Sequence, residues 1–227
     1  MDNISLSTFR HFVPFAELLA AIMGTIYFYK YKHTSLKYFL YLLWYITITE
    51  FFNWYIDENH IISLLYVDAK GKDYNYWPIN ILDTVSFLVY YYIYFKWITI
   101  KKFKFWIKNF AILYVLLSIL NWRFIQNFFT ELQSYLFIVG AIFLIISVLF
   151  YFIELLRSEK IVVFHKNLLF WVSIGLLIYY AGNIPFAAEF NGYALISGIH
   201  DLFLIVYILA ILMYLIFTFG FIWSKKE

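Results

Sequence analysis

Cysteine is absent from all 227 residues. Disulfides, thiolate metal centres and cysteine nucleophiles are thereby excluded. Charge is scarce as well. Asp, Glu, Lys and Arg make up 14% of the chain, against about a quarter in a typical soluble domain. Three prolines and eight glycines are too few for a flexible or Pro-rich linker, and no low-complexity tract or internal repeat divides the chain. No HExxH and no GxSxG occurs, so neither a zinc-protease nor a serine-hydrolase signature is present. The formal net charge is only +3, and the basic residues sit at the ends of apolar stretches. That placement reads as membrane topology, with no nucleic acid as partner.

What is abundant is apolar and aromatic surface. Hydrophobic residues reach 64%, with 27 Phe, 22 Tyr and 8 Trp. A bilayer is crossed by about 20 apolar residues in a helix. Seven such stretches fit: Phe12–Tyr29, Leu36–Ile56, Ile79–Ile98, Phe105–Phe124, Leu132–Leu155, Leu168–Ala187 and Ser197–Trp223. The runs are continuous and do not alternate, which favours helices over a transmembrane barrel. The expected fold is therefore all-α, a single polytopic domain over residues 1–227 built as a seven-helix transmembrane bundle. The first stretch lacks a basic leader and a small-residue cleavage site, so it reads as a retained helix. In the longest connection, Asp57–Pro78, the apolar piece Ile61–Val67 is too short to span and reads as a surface helix. Aromatic residues favour the membrane interface, and Phe, Tyr, Ile, Lys and Asn together are what an AT-rich genome encodes. The aromatics carry no cofactor assignment on that basis.

Orientation follows from the basic residues of the short loops. Of the 17 Lys and Arg, all but Arg10, Lys70, Lys72 and Arg123 fall after spans one, three, five and seven. The N-terminus is expected outside and the C-terminus in the cytoplasm, in what reads as a prokaryotic inner membrane. Acids are biased the other way. Of the 14 Asp and Glu, only Glu154, Glu159 and Glu227 lie on the basic side. The orientation rule does not demand this, because acids contribute little to it.

Polar residues gather in the outer half of the spans. Glu17 follows Pro14 in span one, Glu50 and Asn53 lie near the end of span two with Thr47 on the same stripe, and Asn80 and Asp83 open span three. The i, i+3 spacing of each pair puts its members near one helix face. Asn121 and Arg123 end span four, Glu131 and Gln133 precede span five, and Glu189 follows span six. Asn183 and Pro185 lie near the end of span six, and His200 and Asp201 open span seven. A charged side chain in the membrane core costs about 2.5–3.5 kcal/mol on insertion scales and usually faces a cavity or a partner. The expectation is an outward-facing polar cavity lined by Glu50, Asn53, Asp83, Asn183, His200 and Asp201, with Glu17 and Asn80 as buried polar support. Pro185 is expected to break the outer turn of span six and bare its carbonyls there. Catalytic residues are not assigned.

Several chemistries can be weighed on these residues. A retinal pigment needs a Schiff-base lysine, and spans six and seven have none in their interior, which sets retinal aside. Glu50, Asp83, His200 and Asp201 offer an oxygen-rich set with one imidazole, suited to a divalent metal. Seven-helix membrane hydrolases of the ceramidase and adiponectin-receptor type use three histidines with a serine and an aspartate. Only His200 falls within a span here, so none of their residues carries over. In length, span count, orientation and a carboxylate-bearing second span (Thr47 to Trp54), the chain is similar to the seven-helix sensory modules of bacterial histidine kinases. That resemblance implies a sensor or receptor-like subunit. It would bind a small ligand or cation outside and signal to a cytoplasmic protein or kinase on another chain, since the sequence ends at Glu227. An intramembrane enzyme acting on a lipid, metal-dependent or not, is the alternative, with a transporter third.

Overall fold

The computed structural model describes residues 4–58, 65–158, 164–193 and 200–226. It is all-helical, 80% helix, with seven α-helices among the described residues. These are α1 (Ile4–Ile26), α2 (Lys37–Glu58), α3 (Trp77–Trp97), α4 (Lys101–Phe124), α5 (Ser134–Leu156), α6 (Leu168–Tyr193) and α7 (His200–Trp223). A helix rises 1.5 Å per residue, so even the shortest is about 30 Å long, the thickness of a bilayer's hydrocarbon core. Four helices, Lys101–Phe124, Ser134–Leu156, Leu168–Ala188 and Leu204–Trp223, are both long and apolar enough to cross a membrane. The chain is an integral membrane protein on that ground. The other three helices hold Glu17, Glu50 and Asp83. In α1 the described apolar part is the shorter Phe12–Ile26.

Neighbouring helices close into a ring. α1 packs on α7 and α2, α2 on α3, α3 on α5, α5 on α6, and α6 on α7. α4 lies outside, against α3 and α5, and its spanning window is the least buried of the four. Large apolar side chains are exposed on every helix, among them Phe15, Ile48, Tyr92, Leu116, Leu149, Ile178 and Leu215. A bundle in lipid has no need to hide them.

The interior is packed through α3. Phe87, fully buried, touches the rings of Tyr91, Tyr114, Phe137 and Tyr180 at centroid distances of 5.2–6.4 Å. Gly140 on α5 makes room for it, since a Cβ there would sit 2.7 Å from the Phe87 ring. Tyr91 donates to the Gly140 carbonyl (2.8 Å), and the Tyr94 hydroxyl meets Ser173 on α6 (2.8 Å). A row of small residues on α1, Ala16, Ala20 and Ala21, is buried, as expected where helices approach closely in a membrane.

The basic end is held by charged caps. Lys30, in the turn after α1, donates from Nζ to the carbonyls of Phe221 (3.0 Å), Ile222 (2.8 Å) and Ser224 (2.8 Å) at the end of α7. A cation suits the negative end of a helix dipole. Partial burial pulls the Lys30 amine below the usual lysine range. Glu154 of α5 does the converse for α4. Its carboxylate accepts from the Thr99 N–H (2.8 Å), the Thr99 hydroxyl (2.6 Å) and the Ile100 N–H (3.1 Å), donors that a helix start leaves unpaired.

The opposite end differs from expectation at one place. Within the Asp57–Pro78 connection, Tyr66–Val67 and Asp73–Tyr74 pair as antiparallel strands, so the end of the piece expected as a surface helix is a hairpin strand. The cause is the turn. The Asp68 carboxylate accepts from the N–H groups of Lys70 (2.8 Å) and Lys72 (2.9 Å) and from the Tyr74 hydroxyl (3.2 Å). Gly71 supplies the left-handed φ of 77° that closes such a hairpin. Residues 61–64 of the expected helix lie outside the described residues. Nor does Pro185 end α6, which runs on to Tyr193. Proline removes one donor but keeps a helical φ, and α6 is braced on both sides by α5 and α7.

Candidate functional site

Three of the acids expected in the spans come together. Glu17 on α1 has Glu50 of α2 and Tyr214 of α7 as polar neighbours. Glu50 in turn lies within electrostatic reach of Asp83 on α3. Counting from the basic ends of their helices, Glu17 and Tyr214 stand about 13 Å along, Glu50 about 19 Å and Asp83 about 21 Å. The carboxyls form a short diagonal through the middle and upper bundle. α1, α2 and α3 are consecutive members of the ring, which is why antiparallel neighbours bring them together.

Glu17 is the most telling. It is only 2% exposed, and neither carboxylate oxygen closes a hydrogen bond in good geometry among the described residues. Buried polar groups are nearly always paired, and one left alone in a low-dielectric interior is costly. Glu50 and Asp83 are half-buried. Among the described residues, no Lys or Arg stands among the charges that act on the three acids.

Tyrosines line the cluster. Tyr214 is buried beside Glu17 and Glu50. Tyr179 lies within reach of Asp83, Glu50 and Glu17, with its hydroxyl toward the Asn183 side chain. Tyr90 faces Asp83, Glu17 and Tyr179, and Tyr180 stacks edge-on to Tyr90 (6.3 Å) and Tyr179 (5.0 Å). Asn183, buried on α6, thus joins through Tyr179. The sequence reading missed these tyrosines by assigning the aromatics to the interface. The signal was present in their spacing. Tyr90 lies seven residues, two turns, after Asp83, and Tyr179 four before Asn183, which puts each pair on one face.

Asn80, expected as support for the cavity, belongs elsewhere. Its Nδ2 donates to the carbonyls of Phe128 (2.7 Å) and Glu131 (2.9 Å), and its Oδ1 accepts from the Gln133 N–H (3.2 Å). Asn121 donates to Gln126 (3.2 Å) and to Gln133, and Gln126 to the Leu132 carbonyl (3.0 Å). These buried amides clasp the α4–α5 loop to α3. The polar layer is therefore split, with acids and tyrosines under α1, α2, α3, α6 and α7 and amides under α3, α4 and α5.

Asn53 lies one turn beyond Glu50. Its backbone carbonyl accepts from Asn75 (3.4 Å), while its own Oδ1 is buried without a partner among the described residues. Thr47 bonds back to the Leu43 carbonyl (2.9 Å) and joins neither group. Glu131 and Arg123 are exposed, the latter over the Phe124 ring at 6.0 Å. The side chains of Glu189, His200 and Asp201 lie outside the described residues. Among the described residues no group of three His, Asp or Glu converges closely enough to hold a metal ion. A groove of about 190 Å³ between α2 and α3, lined by Tyr45, Ile48, Thr49, Phe52, Trp77, Pro78 and Ile81, is apolar and includes none of the acids.

Compared with known proteins, the chain matches no family model, no curated protein and no solved structure. The site is therefore read from its own chemistry.

Proposed function

We propose that the chain is a seven-span membrane sensor, N-terminus outside, that binds a cation at Glu50 and Asp83, with Glu17 behind them as buried support, and signals to a cytoplasmic partner. One observation carries the ligand class: three carboxyl groups approach one another inside the bundle with no Lys or Arg beside them among the described residues. Ionised together they repel, and a bound cation offsets that repulsion. The tyrosine hydroxyls add neutral oxygen ligands, and oxygen donors suit hard cations. His200 and Asp201 complete the site from α7 in this reading, and Asn53 borders its outer mouth.

The seven-span count rests on α2 and α3 being long enough to cross, at 22 and 21 residues, and on their interior acids facing protein and not lipid. Orientation rests on the basic loops after α1, α3 and α5. The sensor assignment, over transport, is supported by a ring of helices packed continuously around the acids.

The test uses protein reconstituted in lipid nanodiscs. Melting is followed against sodium, potassium, calcium and magnesium chlorides, with choline chloride as the ionic-strength control. A ligand at a hundredfold excess over its Kd stabilises the folded state by about 2.7 kcal/mol. One of the metal chlorides should raise the midpoint saturably, and Glu50→Gln and Asp83→Asn should abolish the rise while leaving the circular dichroism unchanged. Proteoliposomes should show no flux of that cation. Flux above protein-free liposomes would replace the sensor by a transporter, and equal response in wild type and both variants would remove the site.

A further inference from the structure

The first two turns of α4 carry a feature that the cation site does not use. Lys101, Lys102 and Lys108 are exposed there. One face of the helix reads Lys101, Phe105, Lys108, Ile112, Leu116, Ile119 at i, i+4 and i+3 steps, with Lys102 and Asn109 flanking it. Residues so spaced share a face. The opposite face is spent on the bundle. Phe103 stacks on Phe150 at 4.4 Å, Phe110 on Phe143 at 4.7 Å, and Ile107 and Tyr114 are buried. The lysine face therefore points away from the protein. Phe105, Ile112, Leu116 and Ile119 on it are all exposed.

Among the described residues these lysines have no acid of their own. Glu154, the acid that the described residues place at this end, is already committed to the Thr99 and Ile100 N–H groups. Lys104 is turned aside, over the Phe95 ring at 5.3 Å. Lys108 is the odd one. It lies seven residues, ~10 Å, beyond Lys101 along a helix that faces lipid. A lysine at that depth snorkels, and helical side chains lean toward the N-terminus. Its ammonium is thus led back toward Lys101 and Lys102. Three cations then bracket one spot at the edge of an apolar strip.

We propose that this face of α4 is a binding site for an anionic phospholipid, with the phosphate held by Lys101, Lys102 and Lys108 and the acyl chains laid along Phe105, Ile112, Leu116 and Ile119. The continuity of charge with apolar surface selects the lipid over an acidic protein partner. Anything seated on the lysines also meets the strip below them, and an amphiphile satisfies both. The site is independent of the cation reading, since α4 lies outside the ring that holds the acids.

Native mass spectrometry of the full chain, released from nanodiscs of phosphatidylglycerol and phosphatidylcholine mixed equally, tests this. The wild type should retain phosphatidylglycerol in preference to phosphatidylcholine. A basic residue near an anionic surface contributes on the order of 1 kcal/mol, so Lys101→Gln/Lys102→Gln/Lys108→Gln should weaken retention about 100-fold. The exposed positions tolerate glutamine, and the triple arginine variant should restore binding. Lys225→Gln/Lys226→Gln, which removes two lysines at the same end, should change nothing. Equal retention by wild type and the triple glutamine variant would overturn the site. So would displacement of the lipid by millimolar glycerol phosphate or an acidic peptide, which would assign the lysines to a soluble anion or a protein.

Discussion

Replacing Asn80 separates a structural clasp from a ligand group. The side chain is 1% exposed and makes three hydrogen bonds: two donated, to the Phe128 and Glu131 carbonyls, and one accepted, from the Gln133 N–H. Each is worth about 1 kcal/mol net, and a buried partner left unpaired costs about 1–3 kcal/mol. Asn80→Ala strands three backbone groups at once. Water reaches a loop end more easily than a core, so the lower figure applies and the loss is about 3 kcal/mol. For a chain of this size 1 kcal/mol moves the midpoint by about 2–4 °C, which gives a fall of roughly 6–12 °C. Asn80→Asp keeps the shape but sets a carboxylate against two carbonyl oxygens, and should be no better than alanine. The assay is thermal unfolding in nanodiscs, with the cation titration repeated on each variant. Binding should survive below the lowered midpoint. An Asn80→Ala protein as stable as wild type, or one of normal stability that has lost the cation response, would refute the clasp.

Three further perturbations follow from the packing. Glu154→Ala removes the acceptor for the start of α4 and should cost about 1–2 kcal/mol, the range of a lost N-cap, whereas Glu154→Gln should cost less; chemical unfolding distinguishes them. Gly140→Ala puts a methyl 2.7 Å from a Phe87 ring that four aromatic neighbours hold in place, and should cost about 1–3 kcal/mol by overpacking, read as a lower melting midpoint. The hairpin should loosen in acid. The Lys72 N–H first, with the Lys70 N–H, the Tyr74 hydroxyl and the Lys72 charge, holds Asp68 below the usual aspartate range against some desolvation. A depressed carboxylate stabilises the fold above its unfolded value and ceases to do so as pH falls through the folded one. The protection of the Lys70 and Lys72 amides, their exchange rate taken against the intrinsic rate at each pH, should therefore fall below the ordinary aspartate range in wild type. The pH dependence should vanish in Asp68→Asn, and an unchanged profile in that variant would dismiss the turn carboxylate as its source.

The helices were legible because the apolar runs are continuous and the polar breaks between them short. Expected and observed ends of α2, α3 and α5 agree within two residues. The division of the polar residues was not legible, and helix geometry explains why. Residues three apart on a helix are offset by about 60°, since 3.6 residues make a turn. On α3, which packs against α2, α4 and α5, that offset sends Asp83 toward Glu50 and Asn80 toward the α4–α5 loop. A sequence does not say which neighbours a helix has, so the i, i+3 pair read as one surface. The tyrosines of the acid cluster were hidden by composition. With 22 tyrosines in the chain, only their register to Asp83 and Asn183 sets Tyr90 and Tyr179 apart. Glu154 and Lys30 read only as charges on the basic side until the ends of α4 and α7 met them.

The cation at Glu50 and Asp83, backed by Glu17, is the central claim, and cation-induced infrared difference spectroscopy on lipid-reconstituted protein reads it most directly. Carboxyl bands should appear when the stabilising cation replaces choline, weaken in Glu17→Gln and Glu50→Gln, and disappear in Asp83→Asn combined with Glu50→Gln. A difference spectrum without carboxyl bands, or one unaltered by the three substitutions, would contradict the account.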